Sequence, residues 1–145
     1  MTVKAYLRAL DVGAASGLRT FSGPAFTVWK SGSRWAPLVA VAAVGELIAD
    51  KLPFTPARTQ PGPLIGRMVC GGFCGAAVAG RFEGSRTVGA VCGAAGALAS
   101  AFAGYTIRRQ LTVDFGWPDA PVAIVEDALA LLMAFTANAG PEDGL

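Results

Sequence analysis

The chain has no histidine, three cysteines and few charges: 12 basic and 10 acidic residues among 145, or 15% charged. Soluble domains average about 25% charged residues. A short soluble protein also needs a polar shell, because its surface is large for its volume, and these side chains would cover such a shell poorly. Without histidine the chain lacks the commonest zinc and haem ligand and the usual proton carrier near neutral pH. A net charge of +2 is too small to mark a nucleic-acid binder. No nucleophile triad, phosphate loop or redox motif is present, and Gly71-Gly72 with Gly75 follows no strand, so it is not a dinucleotide fingerprint. These absences argue against an enzyme, a cofactor and a nucleic-acid partner. Cys70, Cys74 and Cys92 lie in apolar Gly/Ala-rich runs and read as small reduced core residues. Cys70 and Cys74 share a helix face, but no histidine or second cysteine pair completes a metal site.

What the chain has instead is hydrophobicity: 53% of its residues are apolar and its mean hydropathy is +0.50. This composition predicts an all-α, polytopic transmembrane helix bundle solvated by a lipid bilayer. A single domain over residues 1–137 and a flexible tail over 138–145 are expected. No cleavable signal peptide is expected, since Asp11 and Arg19 interrupt the first apolar stretch.

About five segments approach the roughly 20 residues a span needs. They are residues 6–29, 35–52, 64–81, 87–107 and 121–137. The first holds Gly23-Pro24, and proline inside a helix removes a hydrogen bond and kinks it, so a break is expected near Ser22 to Pro24. The second opens on Trp35-Ala36-Pro37, an interfacial start, and ends at Pro53. The stretch from Pro53 to Pro63 reads as an extended loop. The fifth follows Asp119, a candidate cap.

Glycines recur at helical spacing: Gly13 and Gly17 in the first segment, Gly71 and Gly75 in the third, Gly89, Gly93, Gly96 and Gly104 in the fourth. In a soluble helix each would cost about 1 kcal/mol against alanine. Between membrane helices such residues let backbones approach closely. They predict tight packing of the third and fourth segments and self-association or contact with other membrane subunits.

With five spans the termini lie on opposite sides. One side then carries Lys4, Arg8, Lys51, Arg58, Arg67, Arg108 and Arg109, and the other only Lys30, Arg34, Arg81 and Arg86. The bias predicts a cytoplasmic N-terminus, an outside C-terminus and a bacterial inner-membrane location. If the first segment does not cross, the assignment changes. A second pattern is an inverted hairpin repeat. Ala36-Pro37-Leu38-Val39-Ala40-Val41 resembles Ala120-Pro121-Val122-Ala123-Ile124-Val125, with acids following in both copies, and inverted hairpins occur in transporters.

Ionisable residues at membrane depth are the main functional signal. A charge at the bilayer centre costs at least ~2.5 kcal/mol on insertion scales. The candidates are Asp11, Arg19, Glu46, Asp50, Glu126 and Asp127. Glu46 and Asp50 share a helix face, and Asp50 beside Lys51 also fits a hydrated interface. Glu126 and Asp127 point about 100° apart, so Glu126 is expected to face inward. Arg19 is expected either to pair with Glu46 or Glu126, which is a structural role, or to line a polar pocket with them.

Four stretches together resemble a bacterial family of small multi-pass membrane proteins described only as a domain of unknown function. They are Gly17-Leu18-Arg19-Thr20 with Gly23-Pro24, Gly45-Glu46-Leu47 with Asp50-Lys51-Leu52-Pro53-Phe54-Thr55-Pro56, Gly104-Tyr105 with Arg108-Arg109, and Pro118-Asp119-Ala120-Pro121-Val122-Ala123 with Glu126-Asp127. The likeness runs from about residue 10 to 135. It implies a membrane location and points to Arg19, Glu46, Asp50, Lys51, Glu126 and Asp127 as the polar positions of the family pattern. It implies no activity. The functional expectation is an oligomeric transporter or channel for an ion or small solute, using the embedded carboxylates and Arg19. The alternative is a non-catalytic scaffold subunit of a membrane complex. A water-accessible cavity at Glu46 and Glu126 would favour the first, and paired, dry acids the second.

Overall fold

The computed structural model describes residues 2–49 and 60–140. They form α1 (Thr2–Leu18), α2 (Ser22–Lys30), α3 (Ala36–Ala49), α4 (Pro61–Arg81), α5 (Arg86–Arg109) and α6 (Asp119–Asn138). A wider turn over Gln110–Asp114 closes α5, with the Phe115 N–H donating to the Gln110 carbonyl at 3.1 Å. No strand occurs among the described residues. The expectations for Asp50, Lys51, residues 53–59 and the last five residues fall outside the described part.

Small side chains decide the position of α1. Ala5, Ala9, Val12, Ala15 and Ser16 are all buried, so α1 is thin enough to be surrounded, and α4, α5, α6 and α2 pack around it. Three helices meet at glycines. A Cβ on Gly13 would collide with the Gly93 backbone, one on Gly71 would lie 2.7 Å from the Gly93 carbonyl, and one on Gly75 would strike the Gly89 carbonyl. Higher up, Gly17 faces Ala97 and Ser100, Gly96 faces the Leu10 carbonyl, and Gly104 faces Leu18. Because 13 meets 93, 17 meets 97 and 18 meets 104, α1 and α5 run parallel.

Among the described residues three helices are long and apolar enough to cross a membrane: Pro61–Arg81, Arg86–Asp114 and Asp119–Asn138. The first expected span behaves differently. It breaks at Arg19–Phe21, slightly before the expected place, and turns back on itself. Gly23 comes against Ser16 and the Val12 carbonyl, and Thr27 reaches Cys74 beside Ser16. Farther along, Ser31 and Trp35 share a cavity with Arg81 at the end of α4 and Arg86 at the start of α5. Pro24 sits in the first turn of α2, where its missing N–H has no helical partner to lose. So the proline starts a second helix rather than kinking one.

α3 runs back beside α2: Ala36, Pro37 and Ala40 line a cleft together with Ala25, Phe26 and Trp29, while Glu46 reaches Thr20 and Phe21. α4 begins at Pro61, so Pro61 and Pro63, expected in the loop, form its first turn instead. Asn138, expected to open the tail, ends α6 and is fully buried.

The hairpin corrects the expectation that the two termini lie on opposite sides. At one end of the bundle Arg8 donates to the Ala137 and Ala139 carbonyls, and the Tyr6 hydroxyl accepts from the Ser85 N–H at 3.2 Å. The start of α1, the α4–α5 turn and the end of α6 therefore share one end, and the two termini of the described bundle are not opposed. The inverted pairing holds for α3 and α6, which run in opposite directions, but not for α1 and α5.

Candidate functional site

A helix end leaves carbonyls, and a helix start leaves N–H groups, without partners. Away from water each such group needs a partner from the protein. At Arg19–Phe21 the end of α1 and the start of α2 lie side by side, and two charged side chains serve them. The Arg67 guanidinium on α4 donates from Nη1 to the Gly17 carbonyl at 2.5 Å and the Leu18 carbonyl at 3.0 Å. The Glu46 carboxylate on α3 accepts from the Thr20 N–H at 2.7 Å through Oε1 and from the Phe21 N–H at 2.9 Å through Oε2. The signs suit the helix dipoles, with the cation at a C-terminus and the anion at an N-terminus. Arg67 Nη2 and Glu46 Oε1 lie 3.7 Å apart and close the pair. The Ser22 hydroxyl donates to the carbonyls of Ala15 and Arg19, each at 2.9 Å.

Arg19 leaves this turn toward α6. Its Nε donates to Asp127 Oδ1 at 2.5 Å, and its Nη2 touches the same carboxylate. Arg19 is 6% exposed and Arg67 3%. At 1.5 Å per residue, Arg67 lies about 9 Å along α4 from Pro61, and Asp127 about 12 Å along α6 from Asp119. The turn is thus inside the bundle rather than at the rim.

A second cluster stands nearer the rim. Arg108 grips Asp119 with two bonds, Nε to Oδ1 at 2.8 Å and Nη2 to Oδ2 at 2.6 Å, and its Nη1 lies 3.5 Å from Glu126 Oε2. The Glu126 side chain is 10% exposed. Beside it, a cleft of about 370 Å³ opens between α5 and α6, with Leu18 at its floor. Apart from Ser100, Arg108 and Glu126, its walls are apolar residues such as Ile107, Trp117, Val125 and Met133.

No family model, curated protein or solved structure matches the chain.

Arg19 pairs with Asp127, not with Glu46 or Glu126 as expected. Glu126 and Asp127 both face the protein, each against its own arginine. Their 100° offset separates them between α5 and α1. Asp11 lies partly exposed on α1, about 12 Å along the helix from Arg19, away from the cluster. Among the described residues no group of three or more Cys, Asp or Glu gathers as a metal site. Arg67, Arg108 and Asp119 were counted from sequence only as loop or cap residues. For Arg67 the available signal was its place beyond Pro61 and Pro63: prolines in a first turn put it nearly two turns deep.

The Arg19–Asp127 pair gives a measurable expectation. Removing one member of a buried pair costs about 3–5 kcal/mol, whereas replacing both by apolar residues is often neutral. Arg19→Met and Asp127→Leu should each lower unfolding stability in mixed micelles, and the double variant should be more stable than either single one. Additive losses would show that the two side chains are not coupled.

Proposed function

We propose that this protein is a non-catalytic membrane-embedded assembly subunit. Its charges hold a re-entrant hairpin, and its lipid-facing helices contact copies of itself or other membrane proteins. The observation that carries this reading is the pairing of the deep carboxylates within the fold. Glu46 is held by two N–H groups and Arg67, Asp127 by Arg19, and Glu126 by Arg108. The cleft beside Glu126 is apolar, which suits a helix or a lipid chain better than a hydrated ion. α3 touches the rest of the bundle chiefly through α2 and leaves Leu38, Val41, Val44 and Ile48 outward.

The basic residues suggest an orientation in a bacterial inner membrane. Among the described residues, Lys4, Arg8, Lys30, Arg34, Arg81 and Arg86 gather at the end that holds the start of α1 and the close of α6. Arg108 and Arg109 mark the other end. By the positive-inside rule the first end is cytoplasmic, so both α1 and α6 have their outer ends there.

One observation favours a second reading, transport of an ion or small solute. Broken helices whose half-helix ends meet at membrane depth form ion sites in transporters, and here Glu46 and Arg67 stand where such ions would bind. The test is flux of protons, alkali cations and chloride in liposomes, with Glu46→Gln as the variant. The assembly reading expects no flux above empty liposomes and more than one copy per assembly by photobleaching in native membrane vesicles. Flux that falls in Glu46→Gln would replace it with transport.

A further inference from the structure

The cytoplasmic end proposed above carries a feature that the hairpin does not use. A cavity of about 610 Å³ lies between the α2–α3 turn and the ends of α4 and α5. Its mouth is polar, with Ser31, Ser33, Arg81 and Arg86. Its depth is apolar, with Val28, Phe73, Ala76 and Ala77. Phe73 lies about 12 Å along α4 from Arg81 and is 63% exposed. Trp35 stands at the rim, as tryptophan does where a bilayer meets water.

Both charged residues that line the mouth, Arg81 and Arg86, are basic, while Glu83 in the turn that joins them is not part of the lining. No carboxylate lines the cavity among the described residues. Arg81 meets the Asn138 amide oxygen at 3.4 Å and the Phe82 ring at 5.9 Å. On the neighbouring turn, Arg34 lies over the Trp35 ring at 5.5 Å. By contrast, the deeper arginines Arg19 and Arg67, and Arg108 beside Glu126, meet carboxylates. The like charges of Arg81 and Arg86 at the mouth repel one another, and an anion between them relieves this.

We infer that this cavity binds the headgroup of an anionic phospholipid, with its phosphate between Arg81 and Arg86 and an acyl chain along Phe73, Ala76 and Val28. Arginine suits phosphate because its planar fork donates two parallel bonds. Basic pockets between membrane helices on the cytoplasmic side hold acidic lipid headgroups by this chemistry. A free phosphate would use the arginines but leave the apolar depth empty, so the occupant is the lipid. The inference rests on membrane embedding and the orientation above, and not on assembly.

The test uses the full chain in a neutral detergent, with lipid retention read by native mass spectrometry. Phosphatidylglycerol and phosphatidylcholine of matched chains are added in competition. The unmodified protein should retain phosphatidylglycerol at least tenfold over phosphatidylcholine, and millimolar inorganic phosphate should not displace it. Arg81→Gln/Arg86→Gln should lose the preference. Arg86→Gln alone should reduce it several-fold, which keeps the test readable if the double variant folds poorly. Lys4→Gln at the same end and Arg109→Gln at the other should leave it unchanged. Equal retention of the two lipids, equal loss in Lys4→Gln, or displacement by phosphate would overturn the site. None of these outcomes depends on oligomer size, so the assembly reading stands or falls separately.

Discussion

Gly93→Val is expected to abolish the folded state in detergent. A Cβ at this position would strike the Gly71 carbonyl and lie 3.0 Å from the Gly75 Cα, and Gly13 presses on the Gly93 backbone from α1. Overpacking a core of side chains costs about 1–3 kcal/mol because rotamers can shift. Here the obstacles are backbone atoms of α4, which have no rotamer to change, and α1 closes the other side of the Gly93 backbone, so the loss should exceed that range. The contrast is Gly45 on α3, where a Cβ meets nothing within 4 Å. Gly45→Ala should hold or raise stability by up to about 1 kcal/mol through helix propensity. Size-exclusion profiles after heating in detergent measure both. A folded, monodisperse Gly93→Val would mean that α1, α4 and α5 do not cross at this point.

Arg67→Ala carries the second large effect. It strips the Gly17 and Leu18 carbonyls of their donor and leaves Glu46 without its cation. Breaking a buried pair by removing one partner costs about 3–5 kcal/mol. Arg67→Lys keeps the charge but loses the planar fork that addresses two carbonyls, so its loss should be intermediate. The damage should also be local. Hydrogen exchange should rise at Thr20, Phe21 and the first turn of α2, while the Gly89–Gly93 part of α5 stays protected. Unchanged exchange at Thr20 and Phe21 would show that Arg67 and Glu46 do not hold the turn.

These two sites mark what the sequence makes legible. Helix content and the glycine crossing are local properties. Glycines at spacing four along an apolar stretch announce a close-packed face wherever its partner lies, so the residues of the Gly13–Gly93–Gly71 contact could be named in advance. The turn at Arg19 was harder. Gly23-Pro24 signals a break, but a kink and a reversal share that signal, and the choice depends on whether distant side chains serve the exposed backbone. Arg67 and Glu46 do so from 46 and 25 positions away along the chain, counted from Phe21. Loop-charge counting failed for the same reason: it assigned Arg67 to a membrane edge and placed Lys4 and Arg81 on opposite sides. The partner of Arg19 was equally hidden, because Glu46, Glu126 and Asp127 are all acids at comparable depth. Only the packing of α6 against α1 brings Asp127 to the guanidinium.

The pairing also bears on why charge is retained in so apolar a chain. A break inside a bilayer exposes backbone groups that a continuous helix would satisfy. Arg67 and Glu46 replace those lost bonds with charge-assisted ones, which are shorter and stronger than neutral ones. Their desolvation is offset by four backbone partners and by each other. Arg19 and Asp127 then fasten the turn to α6, so three helices converge on three residues of irregular backbone.

The re-entrant hairpin is the claim on which the rest depends, and sidedness of labelling tests it most directly. With Cys70, Cys74 and Cys92 replaced by alanine, single cysteines at Val3, Ser33 and Gly116 are exposed to a membrane-impermeant maleimide in sealed inverted and right-side-out vesicles. The hairpin predicts that Val3 and Ser33 react from the same face and Gly116 from the opposite one. Reaction of Val3 and Ser33 from opposite faces would mean that residues 6–29 cross the membrane once, and would contradict the account.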